Sequence, residues 1–312
     1  MALYDLVMLK KQLRENLVVD SAIDELLILR TRINNIKLQV PVLLPEHASY
    51  INQLVDHYEN VIEMASHPAS ELEKEISLID SQIQQITKNL FENNYDVEIR
   101  YGDADFTRNS RRIYINEDIE QLIKKRISLY TNWKYPCLEI GCRDGEWTQF
   151  LVAADPLYIV DRHEEFLTST SGRFPSSYQR RLRPYHLKNN DLSMLPQNQF
   201  GFIFSWGYFN YITIETINKY LAQIINLLRP GGVFFFSYND GDTPSGAGMA
   251  ENFAQTYVPK SLLKVMIDAN GFEIVNDFNN GDNISWIEIK KSGELSTVKA
   301  HQVMGEIRHV GT

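Results

Sequence analysis

The chain has only two cysteines in 312 residues, Cys137 and Cys142, and both fall in one apolar segment. That excludes a disulfide framework and a cysteine-rich metal site, and the pair reads as small buried apolar residues. No apolar run approaches the roughly 20 residues that a membrane-spanning helix needs. The opening stretch "MALYDLVMLKKQLREN" carries charge from Asp5 onward and lacks the apolar core and cleavage site of a secretory leader. The expectation is a reducing, cytoplasmic setting with no membrane. An excess of positive charge is also missing, since the formal net charge is −9. This argues against a general nucleic-acid binder and leaves only a local basic patch for that role. Glycine is absent from residues 1–92.

Those 92 residues read as helices. In "SELEKEISLIDSQIQQITKNLFEN", apolar residues recur at alternating steps of four and three. Ile76, Ile83 and Leu90 fall at heptad position a, and Leu72, Ile79 and Ile86 at d. Ser70 and Glu73 form a capping-box pattern at its start. Leu26, Leu29, Ile33, Ile36 and Val40 make a second seam, and a third stripe runs from Ile51 to Ile62 between proline-containing breaks. The seams fit either a bundle folded within one chain or a coiled coil between chains. The narrow seam and polar flanks favour the coiled coil, and isoleucine at both a and d favours more than two strands. His47, His57 and His67 straddle the proline breaks and do not suggest a metal site.

Residues 94–116 change period. Tyr95, Val97, Ile99 and Tyr101 alternate with polar residues, "GDADFTRNSR" is turn-like, and Ile113, Tyr114 and Ile115 follow. This predicts a β-hairpin. Asp103 and Asp105 fit turn chemistry better than metal binding. A helix is predicted from Asn116 to about Leu129. Strands are then predicted at Cys137–Ile140, Leu157–Asp161, Tyr185–Leu187, Phe202–Ser205 and Val233–Ser237, with helical patterns between most of them. Alternating βα units imply a doubly wound, mostly parallel sheet. Near the end, "FEIV" and "NISWIEIKK" have no helix between them and should pair antiparallel.

Ligands of such sheets sit beyond the carboxyl ends of the strands. In "PCLEIGCRDGEWTQFL" a strand ends in Glu139, Gly141 and Gly145 follow, and the pattern then turns helical. Glycines there let backbone approach a ligand, and a helix start offers N–H groups. Asp161 ends the next strand, where an acid can bind ribose hydroxyls. NAD and S-adenosylmethionine both suit this arrangement. The dinucleotide pattern meets Gly141, Arg143 and Glu146 and fails at two of three glycines. The pattern acid-x-G-x-G-x-G meets Glu139, Gly141, Arg143 and Gly145 and fails at one of four positions.

From about Asn116 to Lys291 the chain resembles a class I S-adenosylmethionine-dependent methyltransferase. "LEIGCRDGEW" is similar to that family's first motif and "YIVDRH" to its second. "NNDLSMLPQNQFGFIFSWGYFNYI" resembles the run through the fourth strand, "LLRPGGVFFFSYND" the turn into the fifth, and "DANGFEIV" the closing helix and strand. The resemblance implies a Rossmann-like seven-stranded methyltransferase domain over 132–291, after an all-α coiled-coil assembly domain over 1–92 and a hairpin with linking helix over 93–131. Residues 292–312 form a tail. It implies S-adenosylmethionine as cofactor. Glu139 and Gly141 would lie under its methionine part, with Arg143 and Gly145 completing the turn. Asp161 would bind the ribose. Arg162 or His163 would flank the adenine, Asn190 and Asp191 would meet its amino group, and Ser205 and Trp206 would line the sulfonium. Two departures stand out: Arg143 replaces a glycine, and Gly201 replaces an acid that often opens the fourth strand.

Methyl transfer from a sulfonium needs positioning and exclusion of water more than a universal catalytic residue. Tyr208, in "SWGYFNYI", and Asp240, in the loop after the fifth strand, are the candidate catalytic residues. The expected acceptor is a small molecule, methylated at O or N, on a homo-oligomer formed by the N-terminal helices. Arg173, Arg180, Arg181, Arg183, His186 and Lys188 form a basic span that suits either phosphate contact or a solvated face. The rival reading is an assembly protein, of viral type, carrying a degenerate methyltransferase module.

Overall fold

The computed structural model describes residues 2–16, 69–109, 115–279 and 284–295, with a few isolated positions between 35 and 60. The expected seam at Leu26–Val40, most of the stripe at 51–62, His47, His67, the side chain of Leu72 and the tail beyond Leu295 lie outside the described residues.

Two helices open the described structure, α1 (Ala2–Asn16) and the 33-residue α2 (Ala69–Tyr101). They pack antiparallel: Leu3 shares an apolar cluster with Leu90, and Lys10 pairs with Asp80. Leu3, Leu6, Leu9 and Leu13 of α1 are buried, as are Ile76, Ile79 and Leu90 of α2. Part of the heptad seam therefore finds its cover within the chain, which is the bundle reading of that pattern. His57, in the isolated stretch, pairs with Glu75 at 3.1 Å.

The first strand of the predicted hairpin is not there; Ile113 and Tyr114 of its second strand lie outside the described residues. α2 runs on to Tyr101, and the short helix α3 (Ala104–Asn109) follows. The reason is a period that the alternation masked. Leu90, Asn94, Val97 and Tyr101, at steps of four, three and four, are all buried, while Tyr95 and Ile99 are exposed. Asp103 accepts the Phe106 backbone N–H at 2.9 Å, so it starts α3.

The remainder is one seven-stranded sheet, β1 (Cys137–Ile140), β2 (Leu157–Asp161), β3 (Leu182–His186), β4 (Phe200–Ser205), β5 (Leu228–Asn239), β6 (Phe272–Asn279) and β7 (Ile284–Lys291). The order is β3-β2-β1-β4-β5-β7-β6, and β7 alone runs antiparallel to its neighbours. That is the expected doubly wound sheet with an antiparallel closing pair. The central strands are buried on both faces, so they read as continuous apolar runs. β3 lies earlier than predicted, at 182–186, because Leu182 to His186 carry the register with β2.

Helix α4 (Glu117–Tyr130) is capped by Asn116, whose side chain accepts the Ile119 N–H at 2.9 Å. Its far end is tied to the sheet, where Tyr130 donates to the fully buried Glu288 at 3.2 Å. The helix expected after Gly145 is only one 3-10 turn, Thr148–Leu151. Beyond β2 come α5 (Glu164–Gly172) and α6 (Ser176–Gln179). Helices α7 (Ile214–Leu227), α8 (Pro244–Glu251) and α9 (Lys260–Ala269) follow β4 and β5. Gly201 has a structural cause: a Cβ there would stand 2.7 Å from Cβ of Tyr135. Neither cysteine forms a disulfide, and both are buried. No described helix is long and apolar enough to cross a membrane.

Truncation tests the helical pair. Leu6→Ala deletes a side chain that is 1% exposed and should cost about 2–5 kcal/mol in chemical denaturation. A loss below about 0.5 kcal/mol would mean that α1 does not seal α2 in solution.

Candidate functional site

The sheet reverses direction of winding between β1 and β4, so their carboxyl ends open a crevice. Glu139 stands there, 2% exposed, accepting the Thr148 hydroxyl at 2.6 Å. Burial pushes its carboxyl up to about 8, and the charges of Asp161 and Asp144 push the same way. Gly141 follows at φ +75°, where a Cβ would meet the Tyr208 ring at 2.6 Å. Here glycine answers both a left-handed backbone and a close approach.

Arg143 also holds a left-handed backbone, at φ +46°. Its N–H donates to Asp161 Oδ2 at 3.0 Å, and its carbonyl accepts the Thr170 hydroxyl at 2.8 Å. Its guanidinium donates to the Thr107 carbonyl, away from the turn. The arginine side chain lines the same cleft as Glu139. Gly145 completes the turn by donating to the Cys142 carbonyl at 2.8 Å. Asp161 accepts the His163 N–H on its other oxygen at 3.0 Å. Burial raises its pKa, and the two N–H bonds oppose that rise.

Arg162 donates to Asn190 at 2.7 Å and lies over the Tyr208 ring, 5.3 Å from its centroid. Tyr208 is buried, and its hydroxyl meets Tyr220 at 2.8 Å and Asn190 at 3.5 Å. Burial pushes that hydroxyl up to about 12. Tyr208 thus spans from Gly141 to Asn190. Asp191 turns outward and accepts from the Ser193 N–H at 2.8 Å. Ser205 donates its hydroxyl to the Ile140 carbonyl at 2.8 Å, which commits it to the strands. Trp206 faces Trp147 at 5.2 Å and stacks on Trp286 at 4.4 Å. Asp240 is held in its own turn, accepting from Asp242 N–H at 3.0 Å and Ser285 at 2.9 Å.

A cleft of about 400 Å³ opens over this crevice. Glu139, Gly141, Cys142, Arg143, Asp144 and Trp206 line it from the sheet side. The sequence reading missed the opposite wall, where Ile115 and Glu120 of the α4 region, Arg108, Trp147 and Phe166 contribute. Glu120 is the only acid of the first turn of α4 that lines it. Tyr208 and Asp240 do not line the cleft. Among the described residues no group of three or more His, Cys, Asp or Glu is placed to hold a metal ion.

Residues 138–234 match the family model of a methyltransferase domain. The match covers about a third of the chain and falls on β1 to β5 of a seven-stranded Rossmann-like sheet. No curated protein matches the sequence. Among solved structures, an S-adenosylmethionine-dependent methyltransferase from Mesorhizobium loti is similar at 12% identity and TM-score 0.47, covering 55% of this chain and 97% of its own. N-methyltransferase NodS from Bradyrhizobium japonicum WM9, in complex with S-adenosylhomocysteine, is similar at 14% identity and TM-score 0.47, covering 64% and 98%. A structure described as a putative S-adenosylmethionine-dependent methyltransferase from Listeria monocytogenes is similar at 14% identity and TM-score 0.47, covering 55% and 96%.

The donor set suits the methyltransferase cofactor. Each Asp161 oxygen accepts one N–H and retains acceptor capacity for a hydroxyl. Glu139 and two tryptophans offer a carboxyl and π faces to a cationic centre.

Glu139 also gives a pH test. Its folded pKa, about 8, lies above the ordinary carboxyl value of about 4.3. Stability from this group is therefore full below about pH 4 and lost as pH rises toward 8. Glu139→Gln should flatten that part of the unfolding profile between pH 4 and 9. An unchanged slope would show that Glu139 ionises normally.

Proposed function

We propose that this protein transfers a methyl group from S-adenosylmethionine to oxygen or nitrogen of a small-molecule acceptor seated in the Glu139–Trp206 cleft. The observation that carries the reading is that cleft: about 400 Å³, next to the glycine turn, with Trp147 and Trp206 on its wall. When bound, the cofactor supplies an activated methyl on a sulfonium. Glu139 and the Gly141–Gly145 turn would hold its methionine end, with Trp206 beside the sulfonium. Asp161 would take the ribose hydroxyls. Arg162, Asn190 and Asp191 would meet the adenine.

The chain's own part in the reaction is positioning. The aromatic walls exclude water and orient the acceptor against the methyl. Glu139, with its raised pKa, can hold or release a proton near neutral pH where an acceptor hydroxyl or amine must lose one. This makes Glu139 a better candidate for proton transfer than Asp240 or Tyr208, which lie outside the cleft.

Self-association through the N-terminal helices belongs to the proposal. The stripe of Ile83 and Ile86 is only partly buried within the chain, which supports it. A cytoplasmic setting is part of the same reading, supported by two buried cysteines without a disulfide. The assembly-protein reading gains from Tyr208 filling the track between Gly141 and Asn190, but the open cleft favours the enzyme.

Calorimetric titration with S-adenosylhomocysteine tests the placement. Asp161→Ala should weaken binding by about 2–3 kcal/mol, roughly 30- to 150-fold. Equal affinity in the variant would remove Asp161 from the site.

A further inference from the structure

The cofactor residues fall into two compartments of unequal access. The Glu139–Trp206 side opens into the cleft. On the other side Asp161 and Tyr208 are covered, while Arg162 and Asn190 share a separate opening of about 460 Å³ with Glu98, Ile99 and Gly102 of the N-terminal helices. Asp161 is 4% exposed and Tyr208 is 1% exposed. Part of that cover is Tyr101 of the N-terminal helices, beside Phe209 and Tyr220 of the sheet domain.

The cover is fastened by side chains, and its partners stand on the loops that follow β1, β2 and β4. Glu98 of α2 accepts from Arg162 at 3.1 Å and from the Thr213 N–H at 2.8 Å. The same Arg162 holds Asn190. Tyr101 stacks on Tyr211 at 4.6 Å and stands edge-on to Tyr208 at 5.8 Å. Arg143 donates to the Thr107 carbonyl. Arg108 pairs with Glu165 and lies over the Phe166 ring.

Upstream, α2 is held in another way. The buried Asn94 side chain donates to the Tyr257 carbonyl at 2.9 Å and accepts the Tyr257 N–H at 2.6 Å. Phe91 packs edge-on against the Tyr257 ring at 5.3 Å. The body of α2 is thus bonded to a backbone segment beyond β5. Its last turn keeps one bond to that region, from Arg100 to the Phe253 carbonyl, and otherwise meets Arg162, Thr213 and Tyr211. Gly102, exposed, separates that turn from α3. A nucleoside reaching Asp161 requires Tyr101 and Tyr208 to give way, and Arg162 cannot turn to it without loosening Glu98.

We propose that Glu98–Arg108 is a lid on the nucleoside compartment, latched by Glu98 to Arg162 and by Arg143 to Thr107, and that its opening gates cofactor exchange. This rests on the cofactor placement proposed above. It also gives Arg143 a role that glycine could not fill, as the closing pin of the lid. Closure in the absence of cofactor lowers apparent affinity by the open fraction, and the latch sets that fraction.

The test uses the full chain and Glu98→Gln, which keeps the shape and an oxygen for Thr213 but removes the charge. Amide exchange over 96–108 is measured without ligand, and S-adenosylhomocysteine association and dissociation are followed by tryptophan fluorescence. The lid predicts faster exchange confined to that segment and both rates raised about 3- to 10-fold. Binding by the variant alone would also support it. Unchanged rates, with or without faster exchange, would overturn the lid while leaving the cofactor placement standing. Binding by neither protein would overturn the cofactor placement, and the lid with it.

Discussion

One carboxylate organises the site. Asp161 ends β2 and accepts one N–H from its own loop, at His163, and one from the turn after β1, at Arg143. Two loops that belong to different strands are thereby fixed to a single group. The cost is a buried acid, and the two charge-assisted bonds offset part of it. The left-handed backbone of Arg143 is held by the same bond together with the Thr170 hydroxyl. Once the turn is fixed, Gly141 must present its bare face to Tyr208, and Glu139 is left at the foot of the cleft.

From that point the two sides of the site diverge. On one face of the sheet, Trp147, Trp206 and the start of α4 leave a volume open. On the other, Tyr208 bridges Gly141 to Asn190, and α2 lies across it. The polar groups on the covered side are satisfied by one another, as in Arg162 between Glu98 and Asn190. Such a network is stable closed and becomes unpaired when opened, which is the condition for a device with two discrete states.

Much of this was legible in the sequence. Glu139, Gly141 and Asp161 announced the strand ends because a carboxylate or glycine at the end of an apolar run has few structural excuses. The antiparallel β6–β7 pair followed from a missing crossover. The α2 continuation was not read, because Tyr95, Val97, Ile99 and Tyr101 alternate like a strand. Only the spacing back to Leu90 and Asn94 reveals the helical face, and Asn94 is polar. In a strand Glu98 and Tyr101 would fall on opposite faces, so the cover they form together shows only once the segment is helical. Asp240 and Tyr208 sit in loops at strand ends, where a turn anchor and a core tyrosine look the same in sequence as catalytic groups. Their partners lie on other elements, Ser285 45 residues from Asp240 and Tyr220 12 residues from Tyr208. Arg143 looked like damage to a motif because its guanidinium's partner, Thr107, lies on the element that was misread.

The most direct test of the two-compartment account is a crystal structure with S-adenosylhomocysteine bound. The account predicts sulfur beside Trp206, ribose hydroxyls on Asp161, and Tyr101 displaced from Tyr208. Ligand density confined to another surface, with Tyr101 and Tyr208 still in contact over Asp161, would contradict it.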